Sequence, residues 1–151
     1  MNLESKCSTL IVPNKTLTIM TNQQIETVKR SWRKLEGIDP LLIGDVFYSK
    51  LFLDAPYLKK MFTTSKAEQS KKLIDMLHFI VVRLDRIEEL SAEIKNLADR
   101  HVAYGVKSKH YALVGKSLIW TLKKGSGKDW NEDIEKSWLV CYNELVGVMV
   151  D

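Results

Sequence analysis

Apolar residues recur along the chain at helical spacing, and this periodicity predicts most of the secondary structure. In the segment after Ser65, apolar side chains follow Leu73 at offsets of three, four, seven, eight and eleven residues, which is the pattern of one buried helical face. That face consists of Leu73, Met76, Leu77, Ile80, Val81 and Leu84. All three prolines lie within the first 56 residues, so the strongest helix breaker is missing from the rest. The pattern predicts an all-α protein.

Capping residues predict where these helices begin and end. Thr21 with Gln24 forms a capping-box sequence, and Asp39 before Pro40 is a favoured helix start. About seven helices are expected, over residues 21–36, 39–55, 56–62, 65–84, 91–105, 109–123 and from 131 onwards. Residues 124–129, with Gly125 and Gly127, are expected to form the clearest loop. The 91–105 helix should present one apolar face made of Ile94, Leu97, Ala98, His101 and Val102.

Composition and charge restrict the class of protein. A chain of 151 residues with 45% hydrophobic and 28% charged residues fits one soluble domain, here residues 21–151 after a flexible extension over residues 1–20. The net charge is +4 with lysines spread through the chain, so no nucleic-acid partner is expected. No apolar run approaches the ~20 residues of a membrane span. Two distant cysteines, Cys7 and Cys141, favour a reducing cytoplasm.

Three polar residues lie on otherwise apolar faces. Tyr48 follows Gly44 by four residues, Gln69 precedes Leu73 by four, and His101 follows Leu97 by four. All three are expected to be buried, where an unpaired polar group costs about 1–3 kcal/mol. Each side chain could bond a nearby backbone carbonyl. Alternatively, all three could converge on one cofactor, with His101 as a metal ligand; the spacing leaves both interpretations open.

The motifs around these residues resemble a known family. The segments Phe47-Tyr48-Ser49-Lys50-Leu51-Phe52, Pro56 to Phe62, Gln69 with Leu73, and Arg100-His101-Val102-Ala103-Tyr104-Gly105-Val106, followed by His110-Tyr111 and Val114-Gly115, are similar to the globins. The similarity is specifically to single-domain bacterial haemoglobins and the haem domain of flavohaemoglobins. It covers the chain from about Thr21 to Asp151.

The resemblance implies a globin fold and a non-covalent haem b. In that family, the histidine matching His101 binds the iron, and the residues matching Tyr48 and Gln69 face the bound gas. The residue matching Phe62 packs on the macrocycle, and Lys72 is placed where it could pair with a propionate, although a solvated lysine is an equal alternative. The implied cofactor contacts are Phe62, Lys72, Leu73, Leu77, Leu97, Val106, Tyr111 and Val114.

The resemblance also implies a function and leaves alternatives to it. High-affinity, reversible dioxygen binding is the first expectation, with carbon monoxide and nitric oxide as further ligands. Oxidation of nitric oxide to nitrate is the second, and it would require a separate reductase. A gas sensor or a cofactor-free interaction module is the third. One departure is expected: the flavohaemoglobin glutamate that bonds the tyrosine matching Tyr111 would fall two residues beyond Asp151.

Overall fold

The computed structural model describes residues 20–149, and within that range the chain is helical, as predicted. It contains six α-helices and three 3₁₀ helices. The α-helices are α1 (Asn22–Leu35), α2 (Pro40–Asp54), α3 (Lys66–Val81), α4 (Ser91–Ala103), α5 (Ser108–Ser126) and α6 (Glu132–Met149). The 3₁₀ helices are Pro56–Met61, Leu84–Leu90 and Gly127–Asp129. The expected extension over residues 1–20, including Cys7, lies outside the described residues except for Met20.

The predicted caps form hydrogen bonds with the first turns of the helices. Thr21 and Gln24 exchange two bonds, of 3.0 and 3.1 Å, in a complete capping box. The Asp39 carboxylate accepts the Leu41 N–H at 2.9 Å ahead of Pro40. Such bonds satisfy backbone donors that have no partner inside a helix. The helix starts read from the sequence are therefore confirmed here.

Two tryptophans join the first and last helices in the core. Trp32 on α1 and Trp138 on α6 are 2% and 1% exposed, and their rings meet edge to face at 6.2 Å. The Trp138 indole N–H donates to the Ser31 hydroxyl at 3.0 Å, which satisfies a polar group that burial would otherwise leave unpaired. This contact anchors α1 on α6.

A glycine permits the closest helix crossing. A Cβ on Gly44 of α2 would overlap the Ser70 side chain of α3 and lie 2.9 Å from its Cα. Ser70 is fully buried, so it has no space into which to retreat. Gly44 therefore sets how closely α2 approaches α3, and these helices carry Tyr48 and Gln69 respectively.

The structure corrects three local predictions. The segment 124–129 is not a loop, since α5 continues to Ser126 and a 3₁₀ turn follows. Gly125 lies against α1, where a Cβ would be 2.8 Å from Leu35 Cδ2, so it is a packing glycine. Helix α3 ends at Val81, and Leu84 is buried from the next 3₁₀ helix. Val102 is 67% exposed although it shares a helical face with the buried Ala98 and Ile94, one and two turns earlier, so that face is uncovered at the last turn of α4.

Among residues 20–149, no helix has the length and apolar character needed to cross a membrane.

Candidate functional site

Helices α3 and α4, which carry Gln69 and His101, do not pack on each other. Helix α3 packs on α2 and α1, and α4 packs on α6, but no Cα of α3 lies within 8 Å of a Cα of α4; this separation is called the gap. The apolar residues predicted to contact a cofactor are only half-buried, unlike the core residues of the same helices. These are Phe62, Leu73, Leu77, Leu97, Val106 and Val114. Partly covered apolar side chains beside such a gap are suited to an apolar, flat ligand.

His101 is held by its own helix. Its Nδ1 lies 2.7 Å from the Leu97 carbonyl oxygen, four residues earlier. Since a carbonyl only accepts, Nδ1 carries a proton, and in the neutral imidazole Nε2 then holds the lone pair. A backbone partner on one ring nitrogen is how proteins orient a metal-binding imidazole. The donor set therefore fits a haem iron with one protein ligand.

Tyr48 is set in a group of aromatic rings. The Phe47 ring meets it edge-on at 4.9 Å, the Phe52 ring stacks at 5.9 Å, and the Phe62 ring lies edge-on at 5.3 Å. Burial raises the pKa of the Tyr48 phenol to about 12, so its hydroxyl remains protonated and able to donate. That hydroxyl donates to the Gln69 carbonyl oxygen at 3.3 Å, longer than the ~2.7–2.8 Å typical of a strong O–H···O bond.

Gln69 occupies the start of α3 and is tied to the preceding loop. Its side-chain amide donates to the Thr64 hydroxyl, while its backbone carbonyl receives the Tyr48 proton. Gln69 and His101 are half-buried, so the prediction of full burial is wrong for both and right for Tyr48. The physical reason is that α3 and α4 do not cover each other. No pattern in the sequence indicated that Thr64 would accept a hydrogen bond from the Gln69 side chain.

The remaining predicted residues differ in their surroundings. Lys72 is exposed, with no carboxylate within 4.0 Å among residues 20–149, so its ammonium is available to an anion. Tyr111 is 7% exposed, and burial raises its pKa. Its carbonyl accepts the Tyr142 hydroxyl at 2.5 Å. Tyr142 also packs on Gly115, where a Cβ would lie 2.6 Å from the ring, which brings α5 close to α6.

The other histidines are engaged elsewhere. His78 is a boundary residue: half of its side chain is exposed, and its Nδ1 accepts the Trp32 indole N–H at 3.0 Å. His110 is buried, and its Nδ1 accepts the Lys107 backbone N–H at 3.0 Å. Of the three histidines, His101 is the one whose Nδ1 donates to a carbonyl four residues earlier on its own helix.

Comparison with known proteins establishes the family. The model of the family described as Globin matches residues 45–149, well over half of the chain. The chain belongs to the globin family. The resemblance that the Tyr48 and His101 motifs indicated is thereby confirmed, together with the all-α globin fold.

The relatives of this globin include bacterial flavohemoproteins and a neuroglobin. It is 25% identical to a flavohemoprotein of Vibrio cholerae over 136 residues, which is 88% of this chain and 34% of that protein. The chain thus spans about a third of the length of the flavohemoproteins it matches. It is 27% identical to Neuroglobin-1 of Oncorhynchus mykiss over 86% of this chain and 90% of that protein.

A solved globin has the same architecture. The bacterial globin from Campylobacter jejuni superimposes with a TM-score of 0.76 at 28% identity, covering 87% of this chain and 94% of that one.

Proposed function

We propose that this globin binds haem b non-covalently through His101 and binds dioxygen reversibly with high affinity. The observation that carries this proposal is the bond between His101 Nδ1 and the Leu97 carbonyl at 2.7 Å, which leaves Nε2 as the ring nitrogen available to a metal. A ferrous haem held by one imidazole supplies a vacant coordination position for a diatomic gas. The family membership supports the same cofactor.

Tyr48 would supply the hydrogen bond that slows ligand release. Its pKa of about 12 keeps the donor proton in place at physiological pH. Its present bond to the Gln69 carbonyl is 3.3 Å long, so turning the hydroxyl toward a ligand gives up little. The edge-on rings of Phe47 and Phe62 limit how far the phenol can move. Tyr48 is therefore a pre-positioned donor.

Other residues of the chain would hold and shield the cofactor. Phe62, Leu73 and Leu77 contribute apolar surface that excludes water beside the gap, and Lys72 offers an ammonium group for a propionate. An exposed ion pair of this kind contributes about 0–1 kcal/mol. Most of the affinity for the macrocycle is thus expected from the apolar residues and from the bond made by His101.

The cofactor assignment is tested by reconstitution. Full-length protein mixed with hemin should develop a strong Soret band, and His101→Ala should lose it or bind carbon monoxide abnormally. His78→Ala is the matched control, since the half-exposed His78 ring bonds the indole of the buried Trp32 and its loss should leave the spectrum unchanged. An unaltered spectrum and unaltered carbon monoxide binding in His101→Ala would refute the assignment.

The role of Tyr48 is tested by ligand release. A hydrogen bond to a charged partner contributes about 1.5–3 kcal/mol, so Tyr48→Phe should accelerate dioxygen release roughly 10- to 100-fold with little effect on capture. Tyr57→Phe removes the same hydroxyl from a half-exposed ring and should release dioxygen at the wild-type rate. Equal release rates in Tyr48→Phe and wild type would contradict the role proposed for Tyr48.

We propose nitric oxide oxidation as a second activity. Nitric oxide, dioxygen and one electron combine to give nitrate, so turnover requires a reductant. What supports this activity is the similarity to a flavohemoprotein over 136 residues, since the resemblance to flavohaemoglobins implies it. Stopped-flow mixing of the oxygenated protein with nitric oxide should give one nitrate per haem, and absence of nitrate would exclude the activity.

A further inference from the structure

Acidic residues are missing from one long stretch of the chain. Residues 100–128 contain seven lysines and arginines and no aspartate or glutamate. Because the whole chain carries +4, the remainder carries a net charge of −3. The lysines are spread along the sequence, whereas aspartate and glutamate occur only outside residues 100–128. The molecule therefore has a marked charge asymmetry.

The fold brings the start of this stretch against a second basic segment. The Tyr57 ring lies 6.3 Å from the His110 ring, and a Cβ on Gly105 would lie 3.9 Å from the Met61 methyl group. These contacts place the Pro56–Met61 3₁₀ helix beside the turn between α4 and α5. Lys59 and Lys60 therefore belong to a segment that contacts the one carrying Lys107 and Lys109.

Four of these lysines lack counter-charges. Lys59, Lys60, Lys107 and Lys109 are exposed, and none has a carboxylate within 4.0 Å among residues 20–149. Some lysines do pair with carboxylates, as Lys29, Lys66 and Lys71 do with Asp85, Asp45 and Asp75 respectively, whereas others such as Lys72, Lys95 and Lys123 have no such partner among residues 20–149. What distinguishes the four lysines is that they lie unpaired on two segments that contact each other.

An exposed aromatic ring accompanies them. Tyr104 is 67% exposed at the end of α4, close to Gly105. Exposed tyrosines are enriched where proteins bind one another, because the ring is rigid and has both apolar and polar character. Lys59, Lys60, Tyr104, Lys107 and Lys109 are called here the lysine–tyrosine face.

This face adjoins the candidate cofactor site. Lys60 is followed by Met61 and Phe62, and Lys107 is preceded by Val106. A protein seated on the face would therefore lie beside the residues proposed to enclose the haem. Short distance between redox centres is what electron transfer between proteins requires.

We propose that the lysine–tyrosine face docks an electron-donor flavoprotein whose surface around the flavin is acidic. In the complex, the reduced flavin loses one electron, and the iron, ferric beforehand, becomes ferrous. This inference rests on the proposed haem function. A long polyanion such as nucleic acid fits less well, because it would extend beyond the face onto the net-negative remainder of the molecule.

The inference is tested with charge-reversal variants and a purified flavodoxin, an acidic flavin protein, as the probe. The test variant is Lys59→Glu/Lys60→Glu/Lys107→Glu, and the control is Lys123→Glu/Lys128→Glu/Lys136→Glu. Both lower the net charge from +4 to −2. Lys123 lies roughly 21 Å along α5 from Lys109 at 1.5 Å per residue, so the control leaves the face intact.

Binding is measured by titrating isotope-labelled flavodoxin with each full-length protein by NMR. The test variant should weaken binding at least about tenfold and the control about twofold or less, and wild-type binding should weaken as salt rises from 50 to 300 mM. Equal affinities of the two variants would overturn the proposal. So would tight binding of a twenty-residue oligothymidylate with no flavodoxin binding.

A second readout separates this proposal from the haem assignment. The Soret absorbance of each variant reports haem content, and anaerobic mixing with reduced flavodoxin reports electron transfer. We expect normal haem content with at least tenfold slower reduction in the test variant. A wild-type protein without a Soret band would refute the haem function, while the NMR titration would still report whether the face binds flavodoxin. Equal reduction rates in both variants would overturn docking at this face.

Discussion

Replacing Gly44 with alanine tests the helix crossing that positions the candidate distal residues. The new Cβ would overlap the Ser70 side chain and lie 2.9 Å from its Cα, against 3.4–4 Å for ordinary contact. A change of rotamer cannot move Ser70 Cα or Cβ, and Ser70 Cβ would be the nearer of the two at 2.2 Å. To reach the 3.4 Å of ordinary contact, the two helices must therefore separate by about 1.2 Å at this point, where α2 makes the most extensive helix–helix contact in the described fold.

Two opposing effects decide how much stability Gly44→Ala loses. Alanine is favoured over glycine inside a helix by about 1 kcal/mol, whereas overpacking a core costs about 1–3 kcal/mol. Because the obstruction includes a backbone atom of a fully buried residue, the upper part of that range applies. The net loss should be about 1–2 kcal/mol. With a urea slope of about 2 kcal/mol per molar, the unfolding midpoint should fall by roughly 0.5–1 M.

Urea unfolding followed by circular dichroism gives the midpoint, and Gly37→Ala is the control. A Cβ on Gly37 meets nothing within 4 Å, so that variant should be unchanged or slightly more stable. Adding Ser70→Gly to Gly44→Ala should recover about 1–2 kcal/mol as a coupling energy in a double-mutant cycle. Our account is wrong if Gly44→Ala matches Gly37→Ala or if the cycle shows no coupling.

Three further predictions follow from ionisable groups. Burial raises the pKa of Tyr48 to about 12, so the neutral phenol stabilises the fold fully below pH 10, and this stability is lost as the pH rises from about 10 to 12. The free energy of unfolding of Tyr48→Phe, measured by circular dichroism, should therefore fall less over that range than that of the wild type. Burial, with Lys109 and Lys107 nearby, lowers the pKa of His110 below its ordinary 6.5, so stability present above that pH is lost as the pH falls below it; an NMR pKa above 6.5 would contradict this. Burial, reinforced by Glu144, raises the pKa of the Cys141 thiol to about 12; in a Cys7→Ser variant at pH 8 it should react with Ellman's reagent only on unfolding.

The alternatives left open at His101 prove compatible. From the sequence, a buried histidine would either bond a backbone carbonyl or bind a metal. The structure places Nδ1 on the Leu97 carbonyl, yet this bond uses one of two ring nitrogens. A neutral imidazole has a donor and an acceptor at the same time, so the carbonyl bond on Nδ1 is compatible with the proposed coordination through Nε2. The choice looked exclusive because residue spacing does not distinguish the two nitrogens.

Local interactions could be predicted from the sequence alone. Helical periodicity and caps depend on residues no more than about four positions apart, so the start of α1 at Thr21 and the start of α2 at Asp39 were readable. The same locality explains the error at Gly125. Glycine is typical of loops, but here its missing side chain admits Leu35 from another helix, and no local pattern contains that contact.

The candidate site depends on contacts between distant parts of the chain. The sequence supplied Tyr48, Gln69 and His101 as polar residues on apolar faces, but the separation of α3 from α4 results from each helix packing on a different partner. The same long-range packing brings the segments that carry Lys59 and Lys107 into contact. Residue types and spacing determined which helices form. Only the tertiary structure decided which faces those helices leave uncovered, because burial depends on what other segments occupy the same space.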